Sequence, residues 1–372
     1  MPKPMSLTGK LKTAKQTEPL WKGPEDPGPN GGCTQSLIGA WLTCKERFRI
    51  KYVLGLQPQE SFSKSLFFGN AWHVCEEEFA KGVTSGWQEP LKKYAKDLCK
   101  KYKLQQEEVD KWYNVVKRMF PIYVDHWRKH PDVLKRTPLL QEEVFHVPYK
   151  LPSGRVVWLK GKFDSVDLVG KGKNAGVWLM ENKTKGDIDE QDVLQRLSFD
   201  IQTMLYLIAL GEMRHNERDR DWAKNPIVGV RYNVIRRPFS GGKGSIRQHQ
   251  PTKSNPDGES KEEFYDRFIN DYVLTEPDYW FARWNSTVSQ AAVERYKREF
   301  LNPCLESLCD WYGWIANSKD PFANPGNSHH FRLPFGTYNS IMETGGSDLD
   351  SYLRDGTQVG LVRVNSLFGE LQ

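Results

Sequence analysis

Val177-Trp178-Leu179-Met180-Glu181-Asn182-Lys183 is the stretch on which the fold turns. Its period-two alternation puts Val177, Leu179, Glu181 and Lys183 on one face of a strand, with two charged groups at the end of an apolar surface. Upstream, Lys160 to Val169 reads as another strand, joined to the first by the turn-rich run Gly170-Lys171-Gly172-Lys173-Asn174-Ala175-Gly176. Downstream, Asp189 to Leu210 carries the helical stripe Val193, Leu197, Ile201, Met204, Leu205 and Ile208, and Gly211 should end that helix. Val228 to Ile235 returns to strand character. Strands, then a helix, then a strand make the chain α/β.

Working outward, Val144 to Tyr149 and Val156 to Trp158 form a hairpin about Pro152-Ser153-Gly154. The N-terminal third is helical: an amphipathic segment from about Gln35 to Tyr52, a helix carrying Ala71 to Glu77, and two more before the hairpin. The first of these two has lysines at 92, 96, 100 and 103; the second has the stripe Trp112, Val116, Phe120, Tyr123 and Trp127, kinked at Pro121. Arg236 to Ser260 reads as a mobile basic loop. Ser260-Lys261-Glu262-Glu263 then has the form of a capping box opening a helix to about Tyr272, and a last long helix spans roughly Val288 to Ile315. We expect a disordered basic arm over 1–32, one domain with helical additions over 33–320, and an ill-defined tail over 321–372.

A chain of 372 residues with 38% apolar content buries a sizeable core. A net charge of +6 suits an anionic partner only if it gathers on one face. The six scattered cysteines do not form a secreted disulfide framework, and a reducing cytoplasm is the expected location, the host's if the chain is phage-encoded. Neither a signal peptide nor an apolar run long enough to span a bilayer is visible, so no membrane partner is expected.

The charged end of the strand carries the chemistry. A buried Glu181 is costly without a partner, and a neighbouring strand offering Asp164 adds a second carboxylate that repels the first unless a divalent cation lies between them. Oxygen ligands favour Mg²⁺ or Mn²⁺. Lys183 could then orient or help deprotonate a water, provided its surroundings and the metal lower its pKa. The bland alternative is a surface Glu/Lys pair on an edge strand. Gln202 and Tyr206 share a helix face bordering the strand ends, where they could bond a phosphate or the lysine, or simply rim the core. His73 is either an imidazole ligand, a phosphate contact or a core-edge histidine. The lysine face either follows a nucleic acid or is solvated.

Taken together these residues resemble the PD-(D/E)XK nuclease superfamily, specifically its RecB-like branch with phage exonuclease-type proteins, over about residues 36 to 285. Gly69-Asn70-Ala71-Trp72-His73 looks like the branch's histidine motif, and Glu142 or Glu143 like its strand acid. Gly161-Lys162-Phe163-Asp164-Ser165-Val166-Asp167 looks like its metal-binding aspartate motif, Glu181-Asn182-Lys183-Thr184 its E-x-K, and Gln202 to Tyr206 its Q-x-x-x-Y. The resemblance implies a restriction-endonuclease-like core, a mixed central sheet flanked by helices, with an N-terminal helical region and a C-terminal helical extension. It implies that Asp164, Glu181 and the main-chain carbonyl of Asn182 ligate Mg²⁺ with His73, that Lys183 acts on the water, and that Gln202 and Tyr206 steady the DNA backbone or the site. Arg231, Arg236 and Arg237 would contact phosphates.

The implied activity is Mg²⁺-dependent DNA hydrolysis, as an exonuclease in recombination, repair or phage DNA processing, with a recombination or replication protein as partner. A structure-specific endonuclease and a non-cutting nucleic-acid-binding protein on a nuclease fold are the rivals. Cys44 looks like the first of the cysteines that bind an iron-sulfur cluster in many RecB-like nucleases. Cys304 and Cys309 are the only late cysteines, so no cluster is expected and Cys44 reads as a buried small apolar residue.

Overall fold

The structure is a computed structural model that describes residues 19–58, 62–82, 86–102, 106–129, 136–172, 175–187, 200–216, 221–240, 246–317 and 361–371. Helices α1 (Gln35–Thr43), α2 (Lys45–Phe48), α3 (Lys64–Ala80), α4 (Gln88–Tyr102) and α5 (Gln106–Arg128) precede the main sheet, with the short strand β1 (Leu56–Pro58) among them. Strands β2 (Arg136–Lys150), β3 (Val156–Val169) and β4 (Gly176–Lys185) follow, then α6 (Ile201–Asn216) and β5 (Ile227–Arg236). The chain continues through α7 (Lys261–Phe268), α8 (Pro277–Trp280), β6 (Phe281–Thr287), α9 (Gln290–Tyr296), α10 (Asn302–Asn317) and β7 (Leu361–Arg363).

The five long strands form one mixed sheet in the order β2-β3-β4-β5-β6. Every pair is antiparallel except β4 with β5. A parallel pair cannot be closed by a hairpin, so the chain must cross over between β4 and β5, and α6 lies on that crossover. This single topological demand places α6 across the strands that carry the charged residues. Two apolar clusters cover the sheet. One gathers Leu37, Phe145, Phe163, Leu179, Met204 and Leu305; the other gathers Phe68, Trp72, Phe120, Ile235, Phe264 and Trp280. No helix among the described residues is long and apolar enough to cross a membrane.

Several elements differ from the sequence reading. The strand pieces expected around Val156–Trp158 and Lys160–Val169 are one continuous strand, β3, because Leu159 packs into the core without interrupting the ladder with β2. The segment expected as one helix over 35–52 breaks at Cys44, which is extended at φ −162° and accepts from the Arg47 N–H through Sγ at 3.5 Å, opening a second helix. Helix α6 runs through Gly211 to Asn216, since no positive φ or close neighbour at that glycine stops it. Its expected beginning, from Asp189 to Phe199, lies outside the described residues, as does most of the expected tail. Strand β6 was not anticipated at all.

Part of the expected N-terminal arm is packed. Trp21 is fully buried, edge-on to Phe48 and Tyr312, and donates its indole N–H to Gly32 O at 2.9 Å. The capping box holds as read: Ser260 Oγ accepts from Glu263 N while the Glu263 carboxylate accepts from Ser260 N.

Candidate active site

Three carboxylates fall on one row across the sheet. The register passes from Gln141↔Ser165 to Glu143↔Phe163, which sets Glu142 opposite Asp164, and one step beyond Ser165↔Met180 lies Asp164 opposite Glu181. Residues opposite each other on neighbouring strands point to the same face. Among the described residues it is Glu142 and Asp164, with His73, that bring ligand atoms within reach of one another, while Glu181 lies beside them on β4. The ladder shifts between Pro138 and Leu140, and Glu142 itself takes a left-handed backbone at φ 48°. A non-glycine residue there costs on the order of 1–3 kcal/mol and persists only when its surroundings hold it.

Helix α3 brings His73 to this row. Gly69, one turn earlier, lets the helix approach β4: a Cβ at that position would sit 3.2 Å from Thr184 Oγ1. His73 Nδ1 lies 3.3 Å from Glu142 Oε1 and 3.9 Å from Asp164 Oδ1. Ligand atoms of these three residues all lie within 4.8 Å of one another, close enough for one small cation. Asp164 is further held by the backbone N–H of Asn182, which donates to Oδ2 at 2.8 Å.

Helix α6 supplies the other half. Gln202 lies between the two charges of E-x-K: its Nε2 donates to Glu181 Oε2 at 2.9 Å and its Oε1 accepts from Lys183 Nζ at 2.9 Å. Lys183 Nζ is itself 2.9 Å from Glu181 Oε2. Glu181 is fully buried, and its Oε1 has no hydrogen-bond partner among the described residues. A buried carboxylate oxygen with nothing to bond is costly, so a cation at the edge of this cluster fits the residues present. Tyr206 sits deeper, edge-on to Phe145 and Phe163. Gly161 leaves room for that packing: a Cβ on it would meet Phe145 Cζ at 2.5 Å and Tyr206 Cε1 at 3.0 Å.

A sheet, helix and charge arrangement of this kind has a counterpart in sequence. The model of the PD-(D/E)XK nuclease superfamily matches residues 34–311. The chain belongs to the PD-(D/E)XK nuclease superfamily. No curated protein matches it. The divalent metals that PD-(D/E)XK nucleases use are consistent with the His73, Glu142 and Asp164 cluster.

Within this PD-(D/E)XK centre, burial and charge act against each other. Burial pushes the Glu181 carboxyl up to about 7, with Lys183 opposing and Asp164 adding to the rise. For His73, burial pulls downward, yet Asp164 and Glu142 outweigh it and raise the imidazole to about 9. Glu142 is pushed up by burial but held below its ordinary value by His73 and Lys162. The surroundings alone do not lower Lys183. Burial works in that direction, but the charges of Glu181 and Asp164 win and its pKa rises.

Two of the three expected phosphate-contacting arginines belong to the interior of the PD-(D/E)XK domain. Arg231 is 2% exposed, donates to Asn285 Oδ1 at 2.7 Å and lies over the Trp178 ring. Arg236 donates to Tyr279 O and Asp187 Oδ1 and stacks on the Tyr279 ring at 4.0 Å. Both are therefore buried cations held by partners inside the domain. Arg237 is partly exposed beside Gly186 and donates to Ser240 Oγ at 3.0 Å. Lysines 92, 96 and 100 are exposed on α4, and Lys103 lies outside the described residues.

Sequence reasoning missed the layer behind the site. Asn233, 1% exposed, donates through Nδ2 to Asn182 Oδ1 at 2.8 Å and to Tyr123 Oη at 2.5 Å. An asparagine in a largely apolar strand was the available signal, and the structure pairs it in register with Asn182. Cys44 is buried, as expected of a small apolar residue, and all six cysteines lie outside disulfides.

Proposed function

We propose that this PD-(D/E)XK nuclease is a divalent-metal-dependent deoxyribonuclease of the RecB-like kind, acting as an exonuclease in DNA recombination, repair or phage DNA processing. The observation that carries the reading is the bridge made by Gln202 between Glu181 and Lys183, with Asp164 tied to the same strand through Asn182. A solvated surface Glu/Lys pair would have no reason to be buried under an amide that satisfies both members. The motif order, like that of the RecB-like branch, favours an exonuclease over a structure-specific endonuclease.

His73, Glu142, Asp164, Glu181 and the Asn182 carbonyl would hold Mg²⁺ or Mn²⁺. When bound, the ion supplies Lewis acidity at the scissile phosphate and acidifies a water. Asp164 and Glu181 would supply the negative charge that holds the ion there. Lys183, kept protonated by its two carboxylate neighbours, donates hydrogen bonds to the attacking water or to a phosphate oxygen and offsets the negative charge that grows there. Gln202 keeps the Lys183 ammonium aimed by fixing both it and Glu181. Tyr206 steadies β3 from the core side, and Arg237 contacts the DNA backbone.

Purified protein incubated with linear and covalently closed circular DNA, in Mg²⁺, in Mn²⁺ and in chelator, tests the reading. Loss of linear DNA alone in metal is expected. Loss of both substrates points to an endonuclease, and binding without cutting in any divalent metal overturns the enzymatic reading.

A further inference from the structure

The metal cluster contains a cation that no motif role accounts for. Lys162 Nζ lies 2.6 Å from Glu142 Oε2, and its side chain is 38% exposed. Lys162 and Asp164 are two residues apart on β3 and so share a face. The same strand thereby carries one ligand of the cluster and the ammonium that grips another ligand on the neighbouring strand. Glu142 divides its two oxygens: Oε2 is taken by Lys162, while Oε1 faces His73 and Asp164.

The backbone of Glu142 makes this grip consequential. At φ 48° the residue occupies a conformation that non-glycine residues leave when nothing retains them. Among the described residues its carboxylate contacts are His73 and Lys162, and His73 is itself a candidate ligand. Asp164 and Glu370 are the other acids whose charge Lys162 feels.

We propose that Lys162 is a positioning residue of the metal centre: by holding Oε2 of Glu142 it aims Oε1 at the ion shared with His73 and Asp164. The inference rests on the metal-dependent reading above. It makes an unusual demand, because a cation beside a dication repels it. Deleting Lys162 should tighten metal binding if charge alone matters, and weaken it if Glu142 is lost from the ligand set.

Titration calorimetry with Mn²⁺ and no DNA separates the two. Lys162→Met is expected to weaken Mn²⁺ binding about tenfold or more, equivalent to about 1.4 kcal/mol, and Lys162→Arg to restore it to within about threefold. In a Glu142→Gln background, adding Lys162→Met should produce no further weakening, since the lysine acts only through that carboxylate. Unchanged or tighter binding by Lys162→Met overturns the proposal, as does a full additional loss in the Glu142→Gln background. Should Lys162→Met fail to fold, Lys162→Gln takes its place in the same cycle. A wild-type protein that binds no Mn²⁺ overturns the metal-dependent reading itself, a result distinct from failure of the lysine alone.

Discussion

Asn182 donates its backbone N–H to Oδ2 of Asp164 at 2.8 Å, so the middle residue of the E-x-K stretch holds the acid of the adjacent strand. The bond explains how two carboxylates from different strands keep a fixed separation. It also gives each strand a stake in the other's register, because a slip by one residue would turn Asp164 to the opposite face.

Asp164→Asn retains an oxygen that can accept from Asn182 but removes the charge a cation needs. Cleavage of linear DNA should fall by about 10³-fold or more, with the thermal midpoint of the metal-free protein little changed. Glu181→Gln and Lys183→Met should each reduce cleavage similarly. Activity near wild type in any one variant removes that residue from the mechanism.

Gln202→Ala removes the amide shared by Glu181 and Lys183 while leaving both charges in place. A supporting contact of this kind carries about 10–100-fold in metal affinity or activity. Steady-state rates across a Mn²⁺ series should show the loss, and a rate equal to wild type at every concentration would argue that the bridge is incidental.

Binding of a divalent ion to the folded protein alone should raise the melting temperature. At a hundredfold excess over the dissociation constant the gain is about 2.7 kcal/mol, and it should vanish in Asp164→Asn. Differential scanning calorimetry with and without Mn²⁺ measures it directly. An equal gain in the variant would place the stabilising ion elsewhere.

The described residues 246–260 after β5 are tied to α7 by one carboxylate. Glu259 accepts from Arg267 Nε at 2.6 Å and Nη2 at 2.8 Å, and from the His249 N–H at 2.8 Å. Arg267 first, then His249, lowers its pKa from the ordinary 4.5 to about 2. A depressed folded-state pKa stabilises above the unfolded value, so this contribution is complete above about pH 4.5 and is lost as pH falls through about 2. Urea midpoints measured from pH 6 downward should decline less steeply in Glu259→Gln than in wild type.

Gly161→Ala tests the packing beneath the metal row. The added methyl must displace the Phe145 ring, at 2.5 Å, and the Tyr206 ring, at 3.0 Å. Overpacking of this kind costs about 1–3 kcal/mol. Chemical denaturation should show a loss in that range, and a stability equal to wild type would mean that both rings yield freely.

The sequence made the α/β order and the grouping of Asp164, Glu181, Lys183 and Gln202 legible, because strand and helix periodicities assign faces without knowledge of long-range contacts. Lys162 could be placed on the face of Asp164 but not paired, since its partner depends on a left-handed Glu142 beyond a ladder shift at Pro138 and Leu140. Arg231 and Arg236 read as phosphate contacts because their partners, Asn285 and Tyr279, come from β6 and α8. Phe281-Ala282-Arg283-Trp284-Asn285-Ser286-Thr287 has little alternation and becomes a strand only by completing the edge beside β5. Tertiary context, absent from local pattern, decided each of these.

Strand β1 owes its pairing to residues more than 300 positions later: Leu56–Pro58 lie against Leu361–Arg363, and Phe368 then enters the core. Ribosomes deliver residue 56 long before 361, so a growing chain must wait with that edge open through synthesis of the entire five-stranded sheet. A chain interrupted before residue 361 would carry every member of the metal row and still lack the clasp that joins its beginning to its end.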